Sequence, residues 1–322
     1  MKSTRLHLIE LLEENTEEYI SGQELSRQLQ ISRTAVWKHM KELEKDGYII
    51  HAVPKKGYQI SKSPQKISAN TIQWGLHTDW LGKEIIHKES VSSTQPIAHQ
   101  LAMNGASHGT VVIADEQTKG KGRLERIWHS AANDGIWMSI ILRPELQPNQ
   151  APQITLMAAT VLADVIAKVT GIEPSIKWPN DLFVKGKKLA GILTEMQGEQ
   201  DKVNYVILGI GMNVNQSKFP EAIASIATSL KLVTDKDWDI ASIIQQLLVT
   251  FEESYAEFLA NGFDAIKTKW EGYAYKIGET VTVKVHDRQW QAMILGIAED
   301  GALRIINKDN SIQTLYSAEI GW

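Results

Sequence analysis

Apolar residues over the first 62 positions repeat at helical spacing and then change to a strand-like texture. Leu8, Ile9, Leu11 and Leu12, with Leu6 ahead of them, make one apolar face before Ser21-Gly22 interrupts the run. Residues 23–29 predict a short helix with Leu25 and Leu29 turned inward. Gln30-Ile31-Ser32 reads as a tight connector with Ser32 at an N-cap position. Residues 33–45 predict a second helix striped by Val36, Met40 and Leu43, stopped by Gly47. Residues 48–51 and 57–61 are β-like and joined through Pro54-Lys55-Lys56. Three helices followed by a hairpin is a winged helix-turn-helix pattern, assigned to residues 1–62.

Residues 63–272 alternate strand and helix signals. Strands are expected at 110–114, 135–142, 175–178, 182–184, 190–196 and 205–210, with helices at 152–170 and 240–261. The links between several strands are too short for helical crossovers, so a mixed sheet with helices is expected, not a doubly wound one. Residues 273–322 return to short alternating strands (280–285, 289–297, 302–306) with turns such as Glu299-Asp300-Gly301, the pattern of a small β-barrel. The fold class is therefore α+β and multidomain.

The 322 residues carry a net charge of −4, so a protein that coats nucleic acid by overall basicity is excluded. Charge is unevenly placed, however. Residues 1–20 are net −3, whereas residues 21–62 hold eight Lys or Arg against four Asp or Glu, net +4. Ser32, Arg33, Thr34, Trp37, Lys38 and Lys41 on the second helix, with Lys55 and Lys56 in the wing, are the candidate DNA contacts. The other use of such a domain is protein contact. There is no cysteine, which excludes disulfides, a zinc ribbon and a thiol nucleophile. The polar start lacks the apolar core of a signal peptide, and no uninterrupted apolar run approaches about 20 residues. A cytoplasmic protein with no membrane partner is expected.

Three segments carry candidate chemistry. Gly120-Lys121-Gly122-Arg123 follows a strand and runs to Arg126; glycines let backbone approach a ligand and the bases suit phosphate, although a basic surface turn has the same composition. Lys177-Trp178-Pro179-Asn180-Asp181 puts an amide and a carboxylate at a strand end, and Lys188 opens the next apolar strand as either a solvated edge charge or a cation aimed at an anion. Gly209-Ile210-Gly211-Met212-Asn213 ends the strongest strand, as a ligand-facing rim or a plain turn.

With Ser93-Thr94 and Gln117 ahead of them, these segments in this order resemble the biotin–protein ligases, and the winged domain resembles the bifunctional bacterial type that also represses biotin synthesis and uptake genes. The resemblance runs over essentially the whole chain. It implies a central domain like that of class II synthetases and an SH3-like C-terminal barrel. It implies ATP, biotin and Mg2+, a biotinyl-5′-adenylate intermediate, and transfer to one lysine of a biotin carboxyl carrier protein of acetyl-CoA carboxylase or pyruvate carboxylase. It implies operator DNA as a further partner and a homodimer favoured by the adenylate.

By the same resemblance, Ser93, Thr94, Gln95, Gln117, Lys121, Gly122, Arg123 and Lys188 bind biotin, with Lys188 and Arg123 catalytic. Gly120, Arg126, Trp128, Asn180 and Asn213 face the nucleotide, and Asp181 is a candidate Mg2+ ligand. For Trp128, a place in the core is the alternative to packing on adenine. Lys121 stands where the family usually has arginine, which removes a guanidinium fork. Gln95 replaces a usual asparagine, and the arginine that some relatives place near the nucleotide after the barrel has no counterpart here. A lipoate ligase, a biotin-sensing repressor without ligase activity and a plain interaction protein are the rival readings; paired cations at 123 and 188 argue for catalysis.

Overall fold

The computed structural model describes residues 4–13, 15, 18–45, 47–62, 67–74 and 76–321, and the expected boundary at 62/63 abuts residues 63–66, outside that set. The chain divides into two compact units, Met1–His77 with Asp239–Gln245, and Thr78–Trp238 with Gln246–Trp322.

In the first unit, α1 (Thr4–Glu13), α2 (Gly22–Leu29) and α3 (Arg33–Lys45) precede the hairpin β1 (Ile49–Val53) and β2 (Gly57–Lys62), and α4 (Ala69–Gln73) follows. The Ser21 hydroxyl accepts from the Glu24 N–H and starts α2; the Ser32 hydroxyl accepts from the Ala35 N–H and starts α3. Between them Gln30 takes φ 53°, which makes the tight turn. Leu8, Ile9, Leu12, Leu25, Val36, Met40, Leu43, Tyr48 and Ile60 close one apolar core. The expected helix-turn-helix with a wing is what the chain forms.

The second unit is built on an eight-stranded sheet. Its strands are β3 (Ile85–Val91), β4 (Val111–Lys121), β5 (Ile127–Ser130), β6 (Gly135–Leu142), β7 (Ser175–Lys177), β8 (Asp181–Val184), β9 (Lys187–Gly198) and β10 (Val203–Asn213). The order is β3-β4-β6-β10-β9-β8-β7, with β5 pairing β4. Only β3 and β4 run parallel; the other pairs are antiparallel. Helix α5 (Thr94–Met103) links the parallel pair and lays Ala98 and Ala102 on Val112, Ile141 and Ile207 of the sheet.

Helix α6 (Ala151–Thr170) packs against β7, β8 and β9 and stops at Gly171 in the left-handed conformation, φ 71°. With its preceding turn it has the length and apolarity of a membrane span, although Thr155, Thr160, Asp164 and Lys168 interrupt its apolar run, and most of it is buried in this unit. Two short helices, α7 (Glu221–Ala224) and α8 (Leu230–Thr234), precede α9 (Ile240–Asn261), and α10 (Asp264–Tyr273) packs on α6.

The chain closes with β11 (Thr280–Val285), β12 (Arg288–Ile297), β13 (Leu303–Asn307), β14 (Ile312–Leu315) and β15 (Glu319–Gly321), in the order β14-β13-β12-β11-β15. Alternation along the chain marks three of these five strands. The other two are three and four residues long, too short to show alternation.

Candidate active site

Two groups of side chains meet the sheet where its strands end. The first is neutral. Ser93 caps α5, and its neighbours Thr94 and Gln95 are buried against the sheet. The Thr94 N–H donates to Gln117 Oε1 at 2.8 Å, and Gln117 Nε2 donates to Ser130 Oγ at 2.9 Å. The Thr94 hydroxyl lies 2.7 Å from Ser139 Oγ, which donates to Gln95 Oε1 at 2.7 Å. Gln95 Nε2 donates in turn to the Leu193 and Ile207 carbonyls. A buried polar network of this kind is stable because its members satisfy one another, and it fixes their directions.

The second group is charged. Lys188 Nζ pairs with Asp181 Oδ1 at 2.7 Å and stands 5.2 Å from the Trp128 ring centroid. Arg123 Nη1 donates to Asn180 Oδ1 at 3.3 Å. Arg126 pairs with Glu319 at 2.5 Å, so the C-terminal sheet reaches this group. Burial pushes the Arg123 guanidinium below its usual range, opposed by Asp181 and reinforced by Arg126. Burial likewise lowers Lys177; Asp181 and Glu319 oppose the shift, while Lys188 and Arg126 add repulsion. Cations held close at this density favour a polyanion, which relieves their repulsion.

The glycines of the Gly209-Ile210-Gly211 segment are spaced to face the same side of β10. A Cβ on Gly209 would stand 2.7 Å from Gln95 Oε1, and one on Gly211 would stand 2.6 Å from Trp128 Nε1. Gly191 pairs with Gly211 across the sheet and lies under the same indole. Trp128 therefore rests on a bare strip of backbone, edge-on to Trp137 and beneath Lys188. Its buried indole N–H has no hydrogen-bond partner.

The structure thus brings Ser93, Thr94, Gln95 and Gln117 into one group, and Arg123, Arg126, Trp128, Asn180, Asp181 and Lys188 into another. Three expectations change. Gly120 and Lys121 are not in a loop: they end β4, paired with Trp128 and Ile127 of β5, because the polar residues 115–121 still form ladder bonds. The turn proper is Gly122–Arg126, where Leu124 and Glu125 both take positive φ, 54° and 57°. Asn213 faces inward: its amide donates to the Thr228 carbonyl and accepts from Gln216, which anchors the segment after β10. Asn180 clamps its turn to β9 through Ile192 besides meeting Arg123. Ser130, Ser139 and Lys177 join the site beyond the residues expected from sequence. The two serines carry no local signal, whereas Lys177 opened a segment already singled out.

A neutral hydrogen-bonded network next to cations gathered around one carboxylate is an arrangement suited to a ligase, here in a chain that also carries a helix-turn-helix unit. Family comparison gives the particular kind. Residues 88–213 match the biotin/lipoate A/B protein ligase family, residues 4–59 an HTH domain and residues 276–320 the biotin protein ligase C-terminal domain.

The chain is 46% identical to the bifunctional ligase/repressor BirA of Bacillus subtilis over 99% of both proteins, and 28% identical to that of Escherichia coli over 98% of this chain and 96% of the other. The biotin protein ligase of Aquifex aeolicus, solved with biotin and ATP, is 32% identical and superposes with a TM-score of 0.64 over 74% of this chain and 98% of its own. The chain belongs to the biotin–protein ligase family, in its bifunctional ligase/repressor form.

Proposed function

We propose that the protein joins biotin to ATP and passes it to a lysine of a biotin carboxyl carrier protein, and that its first unit binds operator DNA when the adenylate is held. A biotin carboxylate oxygen attacks the α-phosphorus, the Pα–O–Pβ bond breaks and pyrophosphate leaves. The neutral amine of the carrier lysine then attacks the acyl carbon; AMP leaves and the amine proton passes to water. The observation that carries this reading is the placement of Lys188 and Arg123 around Asp181, beside the Thr94–Gln117 recess.

The network sets uncharged polar side chains in fixed directions beside the position proposed for an uncharged ureido ring. Lys188, Arg123 and Lys177 offset the repulsion between carboxylate and polyphosphate and stabilise the charge that builds on phosphorus. Trp128 supplies an apolar ring face for the adenine. Asn180 and Asn213 act by positioning: the first orients Arg123, and the second holds the segment after β10. Lys121 and Gly122, at the end of β4, border the phosphates, with Gly120 placing the strand.

Among the described residues no group of three or more His, Asp or Glu could hold a metal ion. That suits Mg2+ carried mainly by phosphate and water, with Asp181 as the protein oxygen that would face it. The ion would neutralise charge on the polyphosphate. The carriers this reading implies are those of acetyl-CoA carboxylase or pyruvate carboxylase, in the cytoplasm. Match to the biotin-specific C-terminal domain favours biotin over lipoate as the acid.

Repression would require a homodimer favoured by the adenylate, since a single winged domain reaches few phosphates. The test is to incubate the protein with ATP, Mg2+, biotin and a carrier domain and to weigh the carrier. A mass gain equal to one biotin less one water is expected. An unchanged carrier, or a gain with lipoate alone, would overturn the reading.

A further inference from the structure

The exposed residues of α3 are Arg33, Thr34, Trp37, Lys38, Lys41, Glu42 and Lys45, and the first five of these carry the argument. Offsets of 0, 1, 4, 5 and 8 place these five in one stripe, turned away from the buried Val36, Met40 and Leu43. Four of the five are charged or hydroxylic. Trp37 stands within the stripe with half of its surface exposed. An isolated exposed apolar residue needs no explanation by itself. This one lies in the middle of a basic face, in a segment that is net +4 over residues 21–62. That charge complements a polyanionic duplex and disfavours an apolar protein groove as its occupant.

The chemistry of the indole narrows what it could meet. Arginine, asparagine and glutamine read bases by pairing two hydrogen-bonding groups with a base edge. Tryptophan has one donor and no acceptor, so it makes no such pair. What it offers is a flat apolar surface. Within the major groove the apolar counterpart is the C5 methyl group of thymine. We infer that Trp37 is a specificity-determining residue that selects thymine through its methyl group, while Arg33, Lys38 and Lys41 hold the duplex mainly by charge. The inference rests on the DNA-binding reading of this unit and adds to it which base is chosen and by which side chain.

The experiment uses the full chain with biotin, ATP and Mg2+. A duplex is selected from a random pool, and each thymine of the selected site is then replaced singly by uracil, which keeps pairing and removes only the methyl. Wild type is expected to lose about fourfold in affinity at one thymine of each half-site, the worth of one buried methyl group. Trp37→Ala should bind more weakly and be indifferent to that replacement. Trp37→Phe, which keeps an apolar ring, should stay sensitive; thermal melts followed by circular dichroism check that both variants fold.

A wild type indifferent to every uracil overturns the inference while leaving salt-dependent DNA binding in place. Full sensitivity in Trp37→Ala overturns it too, as does an Ala variant that binds the duplex as tightly as wild type, which would point to a protein partner for the indole. If no duplex is selected at all, the DNA-binding reading falls and the inference falls with it.

Discussion

Around Thr94 the side chains are uncharged and close their hydrogen bonds on one another or on the backbone, through Gln117, Ser130, Ser139 and Gln95. Around Asp181 the opposite holds: Arg123, Arg126, Lys177 and Lys188 share Asp181 and Glu319, and burial works against the charge of Arg123 and Lys177. The neutral group is finished before a ligand arrives, so it supplies orientation at little reorganisation. The charged group is held under mutual repulsion, so an incoming polyanion is what completes it. On the proposed function one half recognises and the other activates, and the glycine strip of β9 and β10 under Trp128 lies against both.

Damage to the two halves should therefore separate. The largest effect is expected from Lys188→Ala, which on the proposed chemistry removes a cation from the reacting carboxylate and phosphate. Biotin-dependent exchange of pyrophosphate into ATP should fall by about a hundredfold or more, by comparison with the loss of one oxyanion donor elsewhere. The melting curve should show a protein that still folds, since Lys188 sits at a strand end and is partly exposed.

Gln117→Leu strikes the other half. It leaves the Thr94 N–H without an acceptor and takes from the Ser130 hydroxyl the donor it accepts from, a loss of about 1–3 kcal/mol. The KM for biotin should rise by about tenfold on that scale while the KM for ATP hardly moves. Equal changes in both would mean that the two halves are not separable.

How much of this was legible in the sequence follows from what each residue does locally. Lys188, Asp181 and the Gly-x-Gly at 209–211 stand in dense, unusual segments, and these segments also carried the family resemblance. The helix-turn-helix was legible because Leu25, Leu29, Val36, Met40 and Leu43 keep helical spacing. Helix α5 was not read, although Ser93, Thr94 and Gln95 open it, because Pro96 and a short span weaken its periodicity. The far half of β4 was read as loop because residues 115–121 are mostly polar; pairing with β3 and β5 makes it a strand. Ser130 and Ser139 reach the network only through sheet register, which no local pattern announces. The choice between core and ligand-facing positions for Trp128 turns on Gly191 and Gly211 lying side by side across β9 and β10, a long-range fact.

Gly211→Ala tests that strip. The added methyl would meet the Trp128 indole at 2.6 Å and must displace it. Overpacking of this kind costs about 1–3 kcal/mol, and the KM for ATP should rise roughly fivefold or more. An unchanged KM for ATP would remove Trp128 from the nucleotide side.

The smallest expected effect is a pH dependence. Lys177 is lowered from its ordinary value, chiefly by burial, so it loses its proton earlier than a free lysine as pH rises. Bound polyphosphate favours the protonated form, so ATP binding should take up a proton above the lowered pKa and weaken with rising pH. Isothermal titrations across alkaline pH should show that slope in wild type and a flatter one in Lys177→Met. The same slope in both would assign it to another group.

The division between a recognising half and an activating half is tested most directly with biotin methyl ester, which keeps the ureido ring and lacks the carboxylate charge. Calorimetric titration of wild type and Lys188→Ala with this ester is predicted to give affinities within about twofold of each other, although pyrophosphate exchange with biotin itself collapses in the variant. An ester affinity that collapses together with the exchange, or a wild type that does not bind the ester, would contradict the account.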